Sequence, residues 1–217
     1  MPPVYTNHNP FYGWSSSQSR HGSSSSRGGG ASTGLAAGET PPSVFGALPY
    51  PTPPSSRYAP NLTTFYLTSL NPGVLNCAVL GPHARLHYTV STDASMPGYT
   101  VFKNALDKKS IALVEWTKHP RVEVRGAVPK QETKEWLKVS RDQTYRTMTV
   151  RGFQYTWAPE NEYINLCSSG PSPQFLGRIS RGEDTVVIEL TTDAIQLGLQ
   201  DTTIVAAVLL QCGHNID

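Results

Sequence analysis

Few residues in this 217-residue chain have the types and spacing that chemistry requires. Cys77, Cys167 and Cys212 are its three cysteines, each a nucleophile in principle. Cys77 and Cys167 lie in apolar, strand-like segments and Cys212 ends an apolar stretch, so buried, protonated thiols are expected. No CxxC pair occurs, which excludes a zinc ribbon. His83 and His87 are four residues apart after Gly81-Pro82. On one strand they would share a face about 13 Å apart, too far for a common metal ion. The sequence holds no GxxxxGK[ST] loop, no GxSxG elbow and no HExxH helix, and its carboxylates are too dispersed to nominate an acid–base pair. No catalytic, cofactor-binding or metal-ligating residue is therefore assigned, and no cofactor is expected.

Partner-binding chemistry is better represented. Lys103 to Arg151 carries 12 basic and 6 acidic residues, whereas Gly152 onward carries 2 basic and 8 acidic. Either these halves face and attract each other, or the basic stretch forms a face for an anionic partner. In the second case Lys103, Lys108, Lys109, Lys118, Arg121 and Arg125 are the candidate contacts for an anionic membrane surface. Phe153, Tyr155 and Trp157 alternate beside Arg146 and Arg151. They could stack bases, but a core face of a β-strand accounts for them better, and no nucleic acid is expected. Near the N-terminus, Pro2-Pro3-Val4-Tyr5 matches the PPxY ligand of WW domains, in which Pro2, Pro3 and Tyr5 make the motif. Asn9-Pro10-Phe11 matches the NPF ligand of EH domains.

The elements that must position these residues begin after Pro60. Residues 1–60 contain 10 Pro, 8 Gly and 12 Ser, with only Arg20, Arg27, Glu39 and Arg57 charged. Such a segment buries too little apolar surface to offset roughly 1–2 kcal/mol of backbone entropy per residue, so a disordered tail is expected. Residues 61–217 then read as one domain, large enough to bury about 70% of its unfolded surface. Short β-type runs follow one another: Leu62–Leu70, Leu75–Leu80, Arg85–Thr92, Tyr99–Lys103, Ile111–Lys118, Arg121–Val124, Thr144–Val150, Phe153–Trp157, Tyr163–Cys167, Phe175–Ser180 and Thr185–Thr191. Thr133–Val139 reads as a strand or one helical turn, and Arg151-Gly152 as a turn. Breaks of Gly, Pro, Asn and Asp at near-regular intervals predict an antiparallel sandwich or barrel. The last apolar run, TTIVAAVLLQC, lies between Asp201, a candidate N-cap, and Gly213, a candidate C′ residue. Ala206-Ala207 favours a helix, apolar nearly all round and hence buried inside a curled sheet; a buried terminal strand is the competing reading. No apolar run reaches the roughly 18 residues of a membrane span, so the chain is not expected to be transmembrane.

The strings LHYTVST (Leu86–Thr92), IALVEW (Ile111–Trp116), EWL (Glu135–Leu137) and RTMTVRGFQYTW (Arg146–Trp157) resemble, in that order, a fungal domain family abundant in mushroom-forming species and without established function. That family looks like a distant relative of the LURP-one, phospholipid-scramblase and tubby C-terminal domains. The resemblance covers roughly Asn61 to Cys212 and implies a mainly β fold, an antiparallel barrel around a C-terminal apolar helix. It brings no catalytic residues. Several of those relatives act at membranes, an analogy of fold alone.

The expected function is a non-enzymatic binding module with an adaptor-like tail, meeting a membrane surface or a protein. A small-molecule-binding or enzymatic barrel is the alternative. An odd cysteine count, wide spacings and a polar, Pro-rich N-terminus point to reduced thiols in the cytoplasm or nucleus.

Overall fold

The computed structural model describes residues 61–71, 73–94 and 96–217. The segment 1–60, and with it the motif residues Pro2, Pro3, Tyr5, Asn9, Pro10 and Phe11, lies outside the described residues.

The domain is mainly β. In chain order the strands are β1 (Leu62–Thr68), β2 (Cys77–Leu80), β3 (Leu86–Thr92), β4 (Tyr99–Asn104), β5 (Ser110–Glu115), β6 (Arg121–Val124), β7 (Val128–Glu132), β8 (Leu137–Val139), β9 (Arg146–Val150), β10 (Phe153–Glu160), β11 (Tyr163–Ser168), β12 (Phe175–Arg181) and β13 (Val186–Thr191). Three helices join them: α1 (Thr133–Trp136), α2 (Thr192–Gln196) and α3 (Gln200–Gln211). Period-2 burial drives the strands. In β9, Arg146, Met148 and Val150 point inward; in β10, Tyr155 and Trp157 do.

All 13 strands form one sheet in the order β7-β6-β5-β4-β3-β2-β1-β13-β12-β11-β10-β9-β8. Every neighbouring pair is antiparallel, and β1 joins the two halves through its register with β13, Leu62 opposite Thr191. The expected closed barrel does not form: among the described residues no ladder joins β7 to β8. Parity supplies the reason. Thirteen strands alternate in direction, so the first and last run the same way. Closing the ring would require a parallel pair, and parallel neighbours need a crossover of about a dozen residues or more. Only Thr133–Trp136 separates β7 from β8. Helix α1 occupies this gap instead, its Trp136 indole donating to Thr149 O at 3.2 Å. Both exposed edges are blunted, β7 by Pro129 and Lys130 and β8 by its three-residue length.

The sheet curls around α3, which touches β13 at the middle of the strand order and β6 near one end. Ten consecutive residues, Thr202 to Gln211, are buried. The terminal apolar run is thus a helix, and Gly213, at φ 72°, is its C′ residue. Asp201 is not the N-cap. Helix α3 begins at Gln200 with Leu199 as its N-cap, two residues before Asp201, which lies in the first turn; α2, capped by Thr191 Oγ1 accepting from Ala194 N, hands the chain to α3 through Gly198 at φ 69°.

Candidate functional site

Because neighbours are antiparallel, alternate turns fall at opposite ends of the curled sheet. One end, the lower rim, holds the β2–β3, β4–β5, β6–β7 and β9–β10 turns and the α2–α3 corner. The upper rim holds the β1–β2, β3–β4 and β5–β6 connections and the C-terminal residues after α3.

The six candidate cations are all exposed, yet they divide between these ends. Lys103, next to last in β4, stands opposite Ser110, Lys108 and Lys109 lie in the β4–β5 turn, and Arg125 begins the β6–β7 turn with its amide on Ile111 O at 2.9 Å. These four share the lower rim. Lys118 and Arg121 lie at the upper end of β5 and β6, about 17 Å away by strand rise. There Arg121 stands opposite Glu115 and Glu132, so that end is mixed in charge. Arg151, which charge density alone did not single out from its neighbours, belongs to the lower rim. Its Nε donates to Gly126 O at 3.3 Å and its Nη1 to Leu197 O at 3.4 Å, tying three rim segments together. Arg151 and Gly152 both have positive φ, 50° and 84°, the signature of a two-residue type I′ hairpin turn.

The basic and acidic halves are joined by Arg146, fully buried, whose guanidinium makes a bidentate pair with Asp217 at 2.8 Å and also donates to Leu137 O. Lys109–Asp107, Lys130–Glu115 and Lys134–Glu132 pair within the basic stretch, and Arg178–Glu189 within the acidic one.

The three-ring stacking face does not exist. Tyr155 and Trp157 are buried, whereas Phe153, first residue after the tight turn, is 70% exposed. Period 2 aligns the three in sequence, but the inner face ends where the hairpin does. The histidines also separate: His83 lies in a single 3-10 turn at φ 60°, and His87 packs edge-on against Phe65 in β3. Among the described residues no group of three or more His, Cys, Asp or Glu is placed to hold a metal ion. Cys77, Cys167 and Cys212 are unpaired thiols. Burial pushes Cys77 up to about 12 and Cys212 up to about 11; Cys167 is raised by burial and then by Glu160. All three stay protonated near neutrality and are poor nucleophiles.

At the lower end of α3 lies a polar cluster that sequence spacing did not reveal. The Tyr88 hydroxyl donates to Asp201 Oδ1 at 2.6 Å and accepts from Gln200 Nε2. Burial, then the hydrogen bond and charge of Asp201, hold the phenol well above its ordinary pKa. The phenol is thus a fixed donor fastening the first turn of α3 to β3, where the Asp201 carboxylate also favours the positive end of the helix. Only the separation of 113 residues hides this pair from local pattern reading. On the outer surface, Thr63, Tyr66, Leu80, Pro82 and His83 line an open groove of about 400 Å³. Among the described residues no helix is long and apolar enough to cross a membrane.

No curated protein matches the sequence. In architecture the chain is similar to a protein from Arabidopsis thaliana of known X-ray structure, with a TM-score of 0.41 and 10% identity over 70% of this chain and 90% of that one. The model of a family of unknown function, DUF6593, matches residues 72–214, from the segment before β2 to just past α3, and the chain belongs to that family.

Proposed function

We propose that this domain is a non-enzymatic binding module that meets an acidic partner, a membrane surface or a protein, on its outside. One observation carries the reading: α3 occupies the space a small-molecule barrel would reserve for its ligand, with Ile204 to Val208 fully buried. The protonated thiols and the Tyr88 fastener are consistent with structural rather than catalytic roles. The relation to the fungal family and to LURP-one, phospholipid-scramblase and tubby C-terminal domains belongs to the same proposal, supported by a buried terminal helix inside a curled antiparallel sheet. So does a reducing, cytoplasmic location, supported by three free cysteines. WW- and EH-domain proteins are proposed as partners of residues 1–60 on their sequence motifs alone.

The test is a titration of the isotopically labelled full chain with a poly-glutamate peptide and, separately, with short-chain phosphatidylserine micelles. Chemical-shift changes on outward-facing residues are expected with at least one probe. Changes concentrated on inward residues such as Val205 and Leu209, or none with either probe, overturn the reading.

A further inference from the structure

The lower rim brings two properties together, exposed apolar tips and cations. Its tips carry large exposed apolar side chains: Leu106 in the β4–β5 turn at 80%, Phe153 at the β9–β10 turn at 70% and Leu197 at the α2–α3 corner at 50%. Between these tips stand Lys108, Lys109, Arg125 and Arg151, with Lys103 just above. Hydrogen bonds make the segments neighbours. Arg125 N on Ile111 O joins the β6–β7 turn to the start of β5, and Arg151 joins the β6–β7 turn to the β9–β10 turn and the corner. Asp107, Asp193 and Asp201 lie at the same end against the five cations; Asp107 is paired with Lys109 at 3.2 Å, Asp193 accepts from Gln174 and Asp201 accepts from Tyr88. Cations therefore dominate the rim.

We infer that the lower rim is a docking face for an anionic lipid bilayer, with Leu106, Phe153 and Leu197 entering the interfacial region while Lys108, Lys109, Arg125 and Arg151 meet acidic headgroups. The arrangement favours a bilayer over a folded protein. The apolar groups sit on separate turns, each flanked by a cation, rather than in one continuous apolar patch. A fluid interface lets each tip insert independently and supplies negative charge between the tips, which a single protein pocket does not. Anchoring is rigid on the protein side, because Arg151 bridges the turns and Gly198 leaves room for its guanidinium: a Cβ at Gly198 would meet Arg151 Nη1 at 2.6 Å.

This inference rests on the proposed outside-binding module and fixes its partner and its face. The experiment is co-sedimentation of the full chain with phosphatidylcholine vesicles, with and without phosphatidylserine. The chain should sediment only with the acidic vesicles, less at high salt. The triple variant Leu106→Ser/Phe153→Ser/Leu197→Ser should lose about tenfold or more in affinity with an unchanged melting curve. Lys108→Glu/Arg125→Glu should lose comparably. Met96→Ser, 52% exposed in the β3–β4 connection at the upper rim, and Lys118→Glu should bind like the parent. A parent that ignores acidic vesicles overturns the inference, as does a triple variant that binds normally or an upper-rim variant that loses as much. If the parent ignores vesicles yet binds poly-glutamate, the module reading survives and the bilayer does not.

Discussion

Val208→Asp places a carboxylate at the centre of α3, where the native side chain is fully buried between buried Ala207 and Leu209. The two side chains are similar in volume, so packing changes little and polarity decides the outcome. Losing the buried valine surface costs about 1.5–3 kcal/mol. If the new carboxyl enters protonated, it is an unpartnered polar group costing a further ~1–3 kcal/mol; if ionised, several kcal/mol more. A loss of about 4 kcal/mol or more is comparable to the roughly 5–15 kcal/mol stability of a whole domain. The loss should deepen as pH rises above about 4, because the unfolded chain then ionises freely while the folded site resists. Val208→Ala, expected to cost about 2 kcal/mol, controls for the missing methyl groups. Urea unfolding followed by far-ultraviolet circular dichroism reads all three proteins. A soluble Val208→Asp protein within ~1 kcal/mol of the parent would refute the placement of α3 inside the sheet.

Other consequences follow from individual side chains. Trp157→Ala should cost about 3–5 kcal/mol in the same unfolding assay, since the ring is fully buried; Trp157→Phe should cost much less, because the buried indole N–H makes no hydrogen bond to any of the described residues. Tyr88→Phe leaves Asp201 and Gln200 without their shared partner and should cost about 1–3 kcal/mol. The raised phenol pKa stabilises the folded state fully below the unfolded tyrosine value near 10 and progressively less above it, so the parent should lose stability above pH ~10 more steeply than Tyr88→Phe. Thiol labelling of the native chain at mildly alkaline pH should modify Cys167 before Cys77 or Cys212, and unfolding should make all three react alike; fast native labelling of Cys77 would contradict its burial.

The fold was legible where alternation is strong and both faces differ. Met148 and Val150 on one side of the hairpin and Tyr155 and Trp157 on the other mark the inner face, and Ala206-Ala207 favours helix over the buried strand that periodicity alone leaves open. Strand β7 escaped because Val128-Pro129-Lys130-Gln131-Glu132 is an edge strand whose polar composition resembles a loop. Helix α2 escaped because Thr191 reads as the end of a strand, while its hydroxyl caps the next helix. Closure was misjudged because it depends on strand number and direction, which no local window records. The candidate site was legible in its charges but not in its geometry. Lys109 and Lys118 are near in sequence, yet β5 carries them to opposite rims. The exposure of Leu106, Phe153 and Leu197 depends on where turns end, and Phe153 follows its strand's period right up to that point.

The central claim is that α3 is a permanent filling of the curled sheet, which leaves only the outside for binding. Native-state amide hydrogen exchange of the full chain tests it most directly. The account predicts that amides from Ile204 to Leu210 exchange only through global unfolding, with the same free energy and denaturant dependence as the most protected amides of β13 and β1. Exchange of those α3 amides through a cheaper opening, with the sheet still protected, would contradict it, because a helix that leaves its place would make an interior site available.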